Sequence, residues 1–150
     1  MKKTALIILG IIVLLGGSIY FSKNLQSNDP NVLSRNGLHW HANLEIFSKG
    51  EKQEIPTNIG VGASNAGKPT FESGMQMTAI HTHETDGTIH MEFSGLVKKE
   101  DTKLGNLFEI WNKDFKSFGE NITMSVNDAT STEYESYEMK DGDRIVLKYE

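Results

Sequence analysis

The chain of 150 residues contains no cysteine. That absence excludes thiolate zinc sites, blue-copper sites and a lipid-modified N-terminal cysteine, so any metal must be held by nitrogen, oxygen or thioether ligands. It also leaves an exported domain without disulfides, and its core must hold without covalent staples. Basic residues are in the minority: 15 Lys and Arg stand against 20 Asp and Glu, for a formal charge of −5. Residues 1–23 hold three lysines and no acid, so without them the charge moves from −5 to −8. A surface this acidic does not seek nucleic acid or anionic lipid and suits cations better. No nucleophile motif is present. Residues 62–68, Gly-Ala-Ser-Asn-Ala-Gly-Lys, imitate a phosphate-binding loop by chance, since Pro69 replaces the Ser or Thr that such a loop requires and no helix follows. Asn121-Ile122-Thr123 fits a glycosylation sequon, which matters only in a eukaryotic secretory pathway.

What the chain does have is histidine in a pattern. Three of its five histidines, His81, His83 and His90, fall within ten residues around Asp86-Gly87, and the other two, His39 and His41, repeat the His-x-His spacing. A strand sends residues i and i+2 to one face, so each pair places two imidazoles side by side. Asp-Gly is a strong two-residue hairpin signal, and a turn there sets His83 opposite His90 and His81 opposite Glu92. The alternate residues Ile80, Thr82, Ile89, Met91 and Phe93 form a mostly apolar opposite face, which leaves the histidines on the exposed side. Around the other pair, Trp40, Ala42, Leu44 and Ile46 alternate with His39, His41, Asn43 and Glu45 in the same way.

Imidazoles with a nearby carboxylate bind first-row divalent ions without cysteine. The candidate ligands are His81, His83 and His90, with His39, His41 and Glu92 completing or adjoining the site. The bland alternative is a polar sheet face whose histidines hydrogen-bond to Glu92, Thr82 or Glu45. It is the better reading for a lone histidine and the weaker one for this density of imidazole. Met75 and Met77 form a Met-x-Met pair, and thioethers select cuprous copper. Taken as an isolated pair, they read better as two flexible residues filling a gap in the core. Copper or zinc is the expected ion. Glu84, Asp86 and Glu92 are candidate bases for a metal-dependent enzyme, but turn and strand-pairing roles account for Asp86 and Glu92, so no catalytic residue is assigned.

Lys2 and Lys3 precede an apolar stretch, residues 4–21, of about the length needed to cross a bilayer. A secretory signal has a shorter apolar run and a small-residue cleavage site, and only Gly16-Gly17-Ser18 resembles one here. Residues 1–23 therefore read as an uncleaved anchor, with secretion after signal cleavage as the alternative. Lysines before the span place the N-terminus in the cytoplasm and the rest outside. Residues 24–37 are polar, contain Asp29-Pro30 and read as a tether, and residues 38–150 read as an extracytoplasmic α+β domain.

Within that domain the pattern predicts a strand over 40–47, a turn at 48–51 and a partner strand over 52–55 ended by Pro56. Residues 60–74 read as a surface loop. Leu104, Leu107, Phe108, Trp111, Phe115 and Phe118 predict an amphipathic helix capped at Asp101 or Thr102 and stopped by Gly119. Its aromatic stripe reads as core packing. Strands follow over 121–127, 134–139 and 144–149, the last entered through Asp141-Gly142.

The order of opening hairpin, helix and closing segment Lys140-Asp141-Gly142-Asp143-Arg144-Ile145-Val146-Leu147 resembles the ubiquitin-like β-grasp, with its mixed sheet and with the histidine hairpin as an insertion before the helix. The Gly-Gly tail of its sulfur-carrier members is not found after Glu150, so their thioester chemistry is not carried over. His39-x-His41-Ala42, Ile55-Pro56-x-x-Ile59-Gly60, His81-Thr82-His83 and Gly87-x-Ile89-His90-x-Glu92 together resemble a group of exported or membrane-anchored prokaryotic proteins, a likeness that implies no activity.

The sequence thus points to a membrane-anchored metal-binding module for sensing, storage or delivery. The alternatives are a metal-free interaction or stalk domain with a pH-responsive histidine surface, and a small metal-dependent hydrolase or oxidase.

Overall fold

The computed structural model describes residues 2–26 and 29–150, so Met1 and two residues of the expected tether, Ser27 and Asn28, lie outside the described residues. The chain separates into two compact units, residues 1–31 and 32–150.

In the first unit, helix α1 spans Lys2–Gln26. Its segment Lys3–Lys23 is long and apolar enough to cross a membrane, and none of it is buried against protein. At 1.5 Å per residue these 21 residues extend about 31 Å, the thickness of a hydrocarbon core. A signal sequence meets the same test of length and composition.

The second unit is a mixed α+β fold. Its strands are β1 (Val32–Ser34), β2 (Leu38–Ser48), β3 (Glu51–Gln53), β4 (Phe71–Glu72), β5 (Met77–Thr78), β6 (Ile80–His81), β7 (Thr88–Phe93), β8 (Val97–Lys98), β9 (Ile122–Val126), β10 (Ala129–Ser131) and β11 (Arg144–Tyr149). Helix α2, Leu104–Trp111, follows β8 after a 3-10 turn at Lys99–Thr102. The main sheet runs β10-β9-β11-β2-β7-β6, with β3 also paired to β2. Strand β1 pairs with β8, so part of the segment expected to be a tether is ordered as sheet.

Strand β2 is the axis. Its C-terminal half runs parallel to β11 and antiparallel to β3, and its N-terminal half is antiparallel to β7. Ala42, Leu44 and Ile46 point to one face with Ile80, Ile89, Met91, Ile145, Leu147 and Tyr149, and Leu104, Leu107, Phe108 and Ile110 of α2 close over them as one buried cluster. Each Leu, Ile, Met or Phe side chain among them, once removed from water, stabilises the fold by about 1.5–3 kcal/mol. The period of two along β2 then sends His39, His41, Asn43 and Glu45 to the opposite face.

Three expectations need correcting. The helix ends at Trp111 and does not run to Gly119, because Asn112 takes a left-handed conformation (φ 61°). Its N–H bonds to the Glu109 carbonyl while that of Lys113 bonds to Phe108, the paired bonds of a Schellman cap. Phe115 and Phe118 still pack in series with Phe108, Trp111 and Tyr149, but from an irregular segment. Nor is 134–139 a strand: residues Tyr134–Ser136 form a 3-10 turn, and β9 instead pairs with β10 across Asn127 and Asp128. Both turn residues have positive φ, the mark of a tight hairpin turn. Finally, α2 is preceded by Lys103 without a side-chain cap, and Asp101 accepts from the Lys98 N–H at 2.7 Å to cap the 3-10 turn instead.

Candidate metal centre

The two histidine pairs, far apart in sequence, meet across β7. His41 lies opposite His90 and His39 opposite Glu92 in the β2–β7 ladder, and His81 lies opposite His90 in the β6–β7 ladder. His90 is therefore flanked on both sides. Imidazole centroids are separated by 4.9 Å for His39–His41, 4.8 Å for His41–His90, 5.4 Å for His90–His81, 4.9 Å for His90–His83 and 4.7 Å for His81–His83. All five rings form one continuous row.

The register differs from the expected one by two residues. His81, not His83, faces His90, and the connection is the irregular stretch 82–87 rather than a two-residue turn. The cause is Thr82, which is fully buried and bonded away from β7. Its N–H donates to the Ile59 carbonyl and its carbonyl accepts from Asn58, while its hydroxyl donates to the Pro56 carbonyl at 2.8 Å and accepts from the Ile59 N–H at 3.1 Å. Gly87 serves a different need. With φ at +88° it runs against β2, its carbonyl accepting from Leu44 at 2.9 Å, and a Cβ there would overlap the Leu44 carbonyl oxygen. Asp86 folds back to accept from the Thr88 N–H at 2.8 Å, which holds its carboxyl below the usual range. A shift of two keeps side-chain parity, so the histidines stay on their face.

His41 is held from behind. Its N–H donates to Asp141 Oδ1 at 2.9 Å and its carbonyl accepts from the Gly142 N–H at 2.7 Å. Because both backbone groups point to that turn, His41 and His90 form a non-hydrogen-bonded pair, the kind that brings cross-strand side chains closest.

Burial grades along the row. His39, His41 and His83 are exposed, His90 and Glu92 are half-buried, and His81 is fully buried, contrary to the expectation that all the histidines face solvent. His81 Nδ1 lies 3.1 Å from the Thr78 carbonyl, which can only accept, so Nδ1 carries the proton and Nε2 is a bare lone pair. That Nε2 is buried and has no hydrogen-bond partner. Metal-binding histidines show this arrangement: the outer nitrogen fixed by a backbone carbonyl, the inner one free to coordinate. Burial lowers the basicity of His81 and of His90, and neighbouring imidazoles lower both further, keeping these rings in the neutral form that binds metal.

Nitrogen of His81, nitrogen of His90 and an oxygen of Glu92 lie within 4.8 Å of one another. Tetrahedral bonds of 2.0–2.1 Å place ligands about 3.4 Å apart, so side-chain rotation must draw these donors inward. Glu92 also contacts His39 Nε2 at 3.3 Å, which links the outer pair to this group. Further along the face, Glu45 pairs with Lys52 at 2.6 Å and Arg144 at 3.8 Å, which occupies it elsewhere. The remaining candidate acids, Glu84 and Asp86, are exposed on the 82–87 stretch. A His-His-Glu group of this kind has room for a metal ion, and its donors do not distinguish one first-row ion from another.

No family model, curated protein or solved structure matches this chain.

Proposed function

We propose that this chain is a membrane-anchored protein whose extracytoplasmic domain binds a divalent transition metal, copper or zinc, through His81, His83 and His90, with Glu92, His41 and His39 adjoining. The observation that carries this reading is the orphaned Nε2 of His81. Leaving a polar atom buried without a partner costs about 1–3 kcal/mol, and a coordinated ion would satisfy it. A purely structural histidine in an apolar setting would be expected to use both ring nitrogens or to be replaced by carbon.

The ligands sit on a sheet, not on loops alone, which suits a preorganised site. Parallel pairing of the first long strand, β2, with the last, β11, and α2 across one face, supports a β-grasp-like arrangement. In that arrangement the histidine-bearing β6 and β7 extend the sheet beyond β2. The lysines that precede residues 4–21 support a cytoplasmic N-terminus, which puts the acidic, metal-binding domain outside. Sensing, storage or delivery of the ion then requires no catalytic group.

The deciding experiment is titration of the detergent-solubilised chain with zinc and copper(II), read by calorimetry and native mass spectrometry. Binding at micromolar or tighter concentration, lost in His81→Ala and His90→Ala, is the expected result. Failure of both ions to bind would leave the histidines as a polar, pH-responsive surface.

A further inference from the structure

The Met75-x-Met77 pair plays no part in the centre described above, yet Met75 lies beside it. An open groove of about 440 Å³ is lined by Leu38, His39, Met75, Glu92 and Phe93 among others. It meets the histidine row at its exposed end, where the His39 side chain is 64% accessible. We propose that this end of the row forms a second, outer ion site selective for cuprous copper, built from His39, His41 and the Met75 thioether, with Glu92 between it and the inner site. The inference rests on the metal-binding reading and adds a second ion of different chemistry.

The donors that lie within 4.8 Å of one another are those of His81, His90 and Glu92, and His41 and His39 stand one and two ring steps outside that group, at 4.8 and 4.9 Å between centroids. One ion at His81, His90 and Glu92 leaves His39 two ring steps from His90, lining the groove and touching the inner group only through Glu92. The two ends also differ chemically. The inner end is buried and offers neutral nitrogen and carboxylate, which suits a divalent ion. The outer end is open and offers thioether with imidazole, a softer set that favours the monovalent ion of copper. An open groove with few ligands suits an ion that arrives and leaves, and Glu92 touches both ends, contacting His39 at 3.3 Å while grouped with His81 and His90.

The test uses the whole 150-residue chain in detergent, with methionine methyl groups labelled by carbon-13, loaded first with one equivalent of zinc. Silver(I), a redox-inert analogue of cuprous copper, is then added. The expected result is one further bound ion with zinc retained and a shifted Met75 methyl resonance, while the core residues Met124 and Met139 stay put. Met75→Leu should weaken silver binding at least tenfold and leave zinc binding unchanged, and His39→Ala should weaken silver binding by a similar factor. Displacement of zinc by silver at a total of one ion, or silver binding with the Met75 methyl unmoved, overturns the outer site while the inner one stands. Absence of both zinc and copper(II) binding at the outset is a separate result that removes the metal-centre reading and this inference with it.

Discussion

His41 and His90 face each other across β2 and β7 with ring centroids 4.8 Å apart, and this one cross-strand pair joins two histidine motifs separated by about fifty residues of sequence. His90 also neighbours His81 and His83, at 5.4 and 4.9 Å, so it is the ring with the most imidazole neighbours. Removing it should therefore do more harm than removing any exposed member. His90→Ala is expected to lower zinc or copper(II) affinity more than 100-fold, against about tenfold or less for His41→Ala. Competition against a chromophoric chelator measures both, and equal losses would show that the ion sits elsewhere along the row.

The stretch that carries His83 depends on a residue that is no ligand. Thr82 uses its hydroxyl twice, toward Pro56 and Ile59, and Thr82→Val keeps the shape while deleting both bonds. The buried Ile59 N–H is then left unpaired, a loss of about 1–3 kcal/mol. Chemical denaturation of the metal-free protein should show that loss. Metal affinity should fall as well, because His81 and His83 flank the residue that turns the chain. Unchanged affinity in a destabilised variant would mean that His83 takes no part in binding.

How much of this centre was legible in the sequence follows from which forces act locally. Side-chain parity was legible, since period-two alternation around His39–His41 and around His90 assigns each imidazole to the polar face whatever the register. Register was not, because Asp86-Gly87 carries a local hairpin signal that the bonds of Thr82 to the 56–59 segment override. The meeting of His41 with His90 is a long-range pairing that no local pattern encodes. Burial of His81 has the same origin, since it depends on what packs beside β6. Two missed features did leave signals: Asn112 directly after Trp111 marks a left-handed helix end, and Asn127-Asp128 marks the β9–β10 turn.

Segment Lys3–Lys23 makes a topological expectation testable. The chain should sediment with membranes, resist extraction at alkaline pH, and lose its C-terminal domain to protease added from outside the cell. Deletion of residues 1–23 should release the domain in soluble form. Recovery of a mature chain beginning just after Ser18 would instead identify the segment as a cleaved signal.

The metal-free domain should also respond to acid in a defined window. Burial holds His81 and His90 below the value near 6.5 that an unfolded histidine shows, so the unfolded chain takes up protons more readily than the folded one. For groups lowered in this direction the stability they contribute is present above pH 6.5 and is lost as pH falls through their folded-state values. Melting temperature in chelator should therefore decline from pH 6.5 toward 5, ahead of most carboxylate titration. His81→Gln, which cannot take up a proton, should flatten that decline even if it lowers the melting temperature throughout. The same slope in variant and parent would mean that the buried imidazole is not the group opposing acid, and that protonation of the half-buried His90 sets the response.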